Sequence, residues 1–504
     1  MATNAGMLYF RMLLTMAVTL YTSRVVLQTL GVEDFGIYHV VAGFVTMLGF
    51  LHGAMSSASQ RFLAFELGKA GDKDMRGIFS MSMNIHILIA LIVLLLGESL
   101  GIWFLNNHLT IPPERMEAAR WVFHLALLSF MVTIISVPYN ALIIAHERMG
   151  VFAWVSIIDV TLKLLVVFML GWFGTDTLIL YGLLSFVVVA LVFMIYRGYS
   201  KTQFSESRFR LHWNGQLFKV MLSYTGWNLW GNLAAVMSGQ GVNVLLNIFF
   251  GPTVNAARTI AMQASGALNS FVQSLQMAVN PQIIKSYAAK DMVYMHRLVC
   301  YGAKYNLFLL ILLTAPVLAN TEFILKLWLG TVPEFASFFL KLMIINILVD
   351  SVSAPLITSA QATGKIKLYQ TVVGGILLLS LPIAYFLLKG GGEPQVVMYG
   401  SIFSSVLALI ARLTILKNLV NLPLPFYIKE VLGRGAVVAI SVFLLFEFST
   451  YYAFPDVGFL ISALLVTAYI MLAVGLFGLG ASERVSVLVK LKSVKFRLNN
   501  SASK

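Results

Sequence analysis

The chain is 504 residues long, 59% hydrophobic and only 11% charged, with a formal net charge of +14. That composition excludes a water-facing globule, and the length excludes a single buried core. One cysteine, Cys300, excludes an internal disulfide framework and a cysteine metal site. The positive charge, which in a soluble protein would point to nucleic acid, is accounted for by Lys and Arg gathering on one side of a membrane.

Apolar runs long enough to cross a bilayer as helix recur along the whole chain. Fourteen spans are expected, at about 8–30, 35–58, 78–98, 119–144, 150–172, 177–197, 217–250, 255–280, 299–319, 335–360, 368–388, 395–416, 434–454 and 457–480. The first contains Tyr21 and Arg24 and has no small-residue cleavage site, so it reads as a retained helix. With the N-terminus in the cytoplasm, 27 of the 35 Lys and Arg residues fall on the cytoplasmic side and seven on the other, Lys163 lying within a span. The split places both termini in the cytoplasm and requires an even number of spans.

Two phrases recur. "SVPYNALIIAHERMG" (Ser136–Gly150) closes span 4, and "SAPLITSAQATGKIK" (Ser353–Lys367) closes span 10, about 217 residues later. "LGVEDFGIYHV" (Leu30–Val40) and "FGPTVNAARTI" (Phe250–Ile260), offset by about 220, each join a pair of spans through a glycine turn. A six-span repeat enters from the same side twice, which predicts two lobes related by an axis along the membrane normal, with a site at their interface. The expected fold is an all-α polytopic membrane protein with two pseudo-symmetric six-helix lobes around a central cavity plus two extra helices. The parts are an N-lobe at 1–197, a basic cytoplasmic linker at 198–216, a C-lobe at 217–418, spans 13 and 14 within 419–480, and a basic amphipathic tail at 481–504 that suits an anionic leaflet.

Polar residues inside the spans are the candidate site. In span 8, Asn255, Arg258, Ser265, Asn269, Gln273, Gln276 and Asn280 fall on one helical face, and polar groups in hydrocarbon must look at protein or water. Span 7 has a looser stripe in Asn228, Asn232, Asn243 and Asn247. Both stripes could line a cavity, or act as hydrogen-bonding glue between helices. Arg24 and Arg258 lie near enough to span ends to snorkel. Lys163 does not, and Asp159 four residues earlier faces it. That pair is either a local structural bridge or a substrate contact and ion switch. Asp159, Asp350 in span 10 and Glu447 in span 13 are the candidate ion-coupling carboxylates. Gly49 and Gly53, and Gly374 with Gly375, read as close helix contacts. No HExxH, CxxC, GxSxG or phosphate-loop motif is present, and the eight histidines lack metal-ligand spacing, so no catalytic residue, metal or cofactor is expected.

At "LYTSRVVLQTLGVEDFGIYHVVAGF" and "NAARTIAMQ" the chain resembles bacterial polysaccharide flippases of the O-antigen (Wzx) type. These belong to the multidrug/oligosaccharidyl-lipid/polysaccharide (MOP) exporter superfamily, together with the lipid II flippase. The resemblance implies an inner-membrane protein that moves undecaprenyl-diphosphate-linked oligosaccharide to the periplasmic leaflet by ion-coupled alternating access. It implies that Arg24 and Arg258 match cavity cations of the lipid II flippase, and that spans 13 and 14 guide the lipid tail. Its implied partners are the lipid-linked glycan, membrane lipids and polysaccharide polymerase or assembly proteins, around a monomer that binds no nucleic acid. A multidrug and toxin extrusion-type antiporter would favour acidic cavity residues. A membrane polymerase or ligase would carry a large periplasmic loop, whereas the longest outward connection here, Ser99 to Arg120, is about 20 residues.

Overall fold

The computed structural model describes residues 2–46, 48–70, 74–108, 111–170, 176–210, 213–330, 332–451, 459–481 and 483–485. The side chains of Arg24 and Asn255, and the tail beyond Val485, lie outside the described residues. All regular structure among those residues is helical.

The helices in chain order are α1 (Ala2–Thr46), α2 (Gly49–Gly68), α3 (Met75–Leu96), α4 (Ile102–His108), α5 (Met116–Ala145), α6 (Met149–Met169), α7 (Thr177–Gln203), α8 (Gly215–Phe250) and α9 (Pro252–Ala288). They continue as α10 (Met292–Ala319), α11 (Thr321–Leu329), α12 (Ala336–Ala362), α13 (Lys367–Leu378), α14 (Ser380–Lys389), α15 (Val396–Leu419), α16 (Leu424–Tyr427), α17 (Arg434–Tyr451) and α18 (Phe459–Ala473). Each of the fourteen expected spans has a helical counterpart, and among the described residues ten helices are long and apolar enough to cross a membrane. α9 falls outside the ten because its amide and Arg stripe lowers its hydropathy. α1 is interrupted at Gly31, where φ is 78° and ψ 168°. The expected outward loop before Arg120 is largely helical, since α3 runs through a π-helical turn at Gly97–Gly101 into α4.

The recurring phrases fold alike. Gly31 and Gly251 both take positive φ, 78° and 79°, and Gly251 is followed by Pro252 at the first position of α9. Only glycine enters that region without a Cβ clash, and Pro is tolerated where no helical N–H is needed. Pro138 lies inside α5, seven residues before its end at Ala145, and Pro355 lies inside α12, seven residues before Ala362. Two residues past each helix end, Glu147 and Gly364 turn the chain with φ of 58° and 75°. Both pairs keep the same 217-residue offset, so the repeat extends from sequence to backbone conformation.

The chain forms two compact units. The first comprises Met1–Gly239, Gln273–Met295 and Thr358–Leu378. Its core joins Phe79, Tyr139, Leu142, Ile144 and Met149, with Phe79 and Tyr139 edge to face at 5.2 Å. Lipid is as apolar as these side chains, so dispersion and polar contacts hold such helices together. Close approach is visible where a Cβ on Gly53 would lie 3.3 Å from Asn232 Oδ1, and one on Gly374 3.2 Å from Trp230 Nε1. Gly49 and Gly375 meet nothing within 4 Å, so only one glycine of each expected pair makes the contact.

In the same unit, Arg61 Nη2 donates to Ala362 O at 3.1 Å and packs over Phe62 and Phe65. A Cβ at residue 364 would meet that guanidinium at 2.7 Å, a second reason for glycine there. Lys285 Nζ pairs with Glu147 Oε1 at 2.6 Å, and Gln282 donates to Oε2 at 3.0 Å. Burial raises the Glu147 carboxyl, but Lys285 and Gln282 outweigh it and hold the group below its ordinary range.

The second unit comprises Gln240–Val272, His296–Ile357 and Leu379–Lys504. One core gathers Leu246, Ala257, Phe339, Leu340, Ile344 and Ala384, and another packs Phe308 and Ile311 against Val438 and Ile470.

Candidate functional site

The first unit holds two adjoining, half-open cavities of 380 and 240 Å³, and Lys163, Thr133 and Val189 line both. Their polar walls come from helical faces. On α5, Ser129, Thr133, Ser136 and Asn140 follow steps of 4, 3 and 4; on α6, Ser156, Asp159 and Lys163 follow steps of 3 and 4. Such steps return to the same side of a 3.6-residue helix. Ser129 and Thr133 satisfy their hydroxyls on carbonyls four residues back, at 2.7 and 2.8 Å, which permits small polar groups in an apolar helix. Tyr38 and Tyr181 stand 4.6 Å apart and both hydrogen-bond Ser185. Two buried wall atoms, Thr22 Oγ1 and Asn140 Oδ1, have no hydrogen-bond partner among the described residues.

Lys163 Nζ donates to Asp159 Oδ2 at 2.8 Å, and its side chain is half exposed, facing the cavities. The pair can therefore meet a solute while neutralising itself. If the bridge is structural, Lys163→Ala is expected to destabilise the protein by about 1–2 kcal/mol more than Asp159→Ala/Lys163→Ala, because the single change leaves a lone carboxylate in the wall. Thermal unfolding of both variants in detergent measures the difference. Equal stability of the two variants would instead remove the bridge as a structural element and leave Lys163 free to contact whatever fills the cavities.

In the second unit Arg258 is 5% exposed. Its Nη1 donates to Asn243 Oδ1 and lies 3.1 Å from Met262 Sδ, while Nε is buried without a partner among the described residues. Asn243 is itself oriented by a 3.0 Å bond to Gln240. No carboxylate among the described residues stands within ion-pair distance of this guanidinium. Ser265 is buried and bonds Met262 O at 3.2 Å; Asn269 is half-buried.

Asp350 accepts from Asn346 at 3.1 Å and bonds Ser405, with Arg412 near enough to act on it electrostatically. Glu447 is exposed on α17.

Asn247, also in the second unit, is exposed, whereas Gln273, Gln276, Asn280, Asn228 and Asn232 belong to the first unit. Gln273 is exposed; Gln276 is buried, with both amide atoms unpartnered among the described residues. Asn280 accepts from Thr358 at 2.8 Å. Asn228, fully buried, accepts from Gln370 Nε2 at 3.0 Å, and Asn232 donates to Asn228 O at 2.9 Å. Asn280, Asn232 and the oxygens of Asn228 are thus used within and between helices, while Asn228 Nδ2 is buried without a partner among the described residues.

The structure thus brings Asp159 and Lys163 together, and Asn243 and Arg258. It adds the α5 stripe and the Tyr38–Ser185–Tyr181 group, which sequence reasoning missed. The α5 stripe carried the same spacing signal as span 8, but single hydroxyls weigh little against apolar neighbours. Among the described residues no cluster of His, Cys, Asp or Glu could hold a metal ion.

A crystal structure of a multidrug-resistance MATE family transporter of the MOP superfamily, in an outward-facing conformation, is similar to this chain at a TM-score of 0.70. The two are 11% identical, over 81% of this chain and 93% of that one. The chain has a MATE-type fold. A MOP superfamily transporter from Pyrococcus furiosus, whose binding pocket is said to have reversed polarity, matches at 0.68 with 12% identity over 81% and 93% of the two chains. A Vibrio cholerae MATE transporter in a bent form matches at 0.64 with 16% identity over 83% and 98%. No protein-family model matches the sequence, and no curated protein matches it.

Proposed function

We propose that this protein is a membrane transporter that flips an undecaprenyl-diphosphate-linked oligosaccharide from the cytoplasmic to the periplasmic leaflet of a bacterial inner membrane. The observation that carries this reading is Arg258: a buried guanidinium on a membrane helix, held among the described residues by an amide oxygen and a thioether, with no carboxylate there to pair it. A cation without a counter-ion in a low-dielectric site is costly until an anion arrives, and a diphosphate supplies one through charge-assisted bonds. Hydroxyl and amide stripes suit sugars, which both donate and accept. Six-helix lobes at 1–197 and 217–418 would rock about the headgroup while the polyprenyl tail stays in lipid. In a MOP superfamily transporter of similar fold, a binding pocket of reversed polarity is said to suggest a different function.

The second reading is a multidrug and toxin extrusion-type antiporter. It is favoured by the MATE transporters among the similar structures and by Asp159 on the wall of a polar cavity. A strain lacking the protein separates the two. The flippase reading expects lipid-linked oligosaccharide to accumulate at least severalfold and surface glycan to be lost. Unchanged glycan with heightened sensitivity to cationic drugs would overturn it in favour of the antiporter.

A further inference from the structure

A separate hollow of the first unit, 620 Å³ in volume, has no role in that reading. One wall is hydrocarbon, from Ile87 of α3, Ile135 of α5 and Phe193 of α7; its rim carries Arg197, Lys201 and Arg208. Arg197 and Lys201 lie 20 and 24 residues after Thr177 on α7. A rise of 1.5 Å per residue sets them about 30–36 Å along the helix, at the edge of a bilayer's hydrocarbon layer.

Arg208 is brought to the same rim by a fixed strap. Phe204 N and Ser207 Oγ both donate to Ser200 O, at 2.9 Å each, anchoring the 3₁₀ turn Ser205–Ser207 on the end of α7. Arg76 Nε then donates to Arg208 O at 3.1 Å, and Arg210 N donates to Ser80 Oγ at 3.3 Å, tying the strap across the start of α3. Tyr139 hydrogen-bonds Arg197 from within. All three cations are exposed, and none has an ion-pair partner among the described residues. Glu206, the carboxylate nearest in sequence, is turned away to His146 at 2.8 Å.

We propose that this groove holds one anionic phospholipid of the surrounding membrane, its phosphate on Arg197, Lys201 and Arg208 and an acyl chain along Ile87, Ile135 and Phe193. The site is independent of the transported cargo. Apolar contact alone would take any lipid; three unopposed cations at headgroup depth select a negative one. Each is worth about a fivefold preference near a membrane surface.

The delipidated full chain, incubated with an equal mixture of phosphatidylglycerol and phosphatidylcholine, is expected to retain the former at least tenfold over the latter by native mass spectrometry. Arg197→Gln/Lys201→Gln/Arg208→Gln should bring the ratio near one while melting unchanged in lipid-free detergent. Should the triple variant fail to fold, Lys201→Gln alone should lower the ratio about fivefold. Ile87→Trp, which fills the apolar wall, should lower retention of both lipids. A ratio near one for the unmodified protein, or the same ratio in the charge variants, would sink the proposal. Competition by millimolar glycerol phosphate would reassign the rim to a free phosphate. Displacement by substoichiometric undecaprenyl diphosphate would reassign the groove to cargo capture. Either result overturns it.

Discussion

Replacing Arg258 with alanine is expected to abolish surface glycan and to raise lipid-linked oligosaccharide while the protein remains in the membrane at its normal level. The change removes the buried cation together with its charge-assisted bond to Asn243; losing that bond costs about 1.5–3 kcal/mol, which is offset by no longer burying a charge. Folding should survive it. Binding should not: two charge-assisted bonds to a diphosphate contribute about 3 kcal/mol or more, roughly two orders of magnitude in affinity. Arg258→Lys keeps the charge but loses the forked geometry, so an intermediate output is expected. Quantifying glycan and the lipid-linked intermediate in the three strains tests the idea. Full glycan from Arg258→Ala would remove the residue from the site and leave the antiporter reading stronger.

The second large effect is on stability. Lys304, in α10, is fully buried; its Nζ stands 2.6 Å from Glu483 and 3.4 Å from Glu430. Glu430 is also held by Arg434 at 2.8 Å, and Glu483 accepts from Tyr305 at 2.8 Å. Lys304→Met preserves volume and removes the charge, stranding Glu483 in a half-buried position. A loss of about 3–5 kcal/mol is expected, larger than for an exposed bridge. Adding Glu483→Gln should restore much of it.

The deficit should also depend on pH. Burial raises the Glu483 carboxyl, but Lys304, the Gly480 N–H and Tyr305 more than offset this and hold it below its ordinary 4.5. A depressed folded value stabilises above the ordinary value and is lost as pH falls through the folded one. Without Lys304 the carboxyl loses that support, and protonation relieves its burial. The variant's deficit should therefore shrink below pH about 4.5. Thermal unfolding in detergent across pH reads it; a deficit that grows on acidification would refute this account of the cluster.

Much of this protein was legible one segment at a time. Hydropathy marks its membrane helices because each must satisfy its own backbone in lipid, wherever its neighbours lie. The turns at Gly31, Gly251 and Gly364 and the prolines at 138 and 355 express local steric demands, so the repeat is visible in letters and again in dihedral angles. The pairing of Asp159 with Lys163 was equally local, a matter of one helical turn.

Partners from distant helices were decided by the tertiary structure alone. Lys304 reads as one more cation of a basic side; its burial depends on carboxylates 126 and 179 residues away. Asn228 belongs to the same stripe as Asn243, yet one meets Gln370 and the other Arg258. Spacing sets which residues share a helix face, because 3.6 residues per turn is a property of the chain. What that face meets depends on which helix packs against it, and no single segment holds that information.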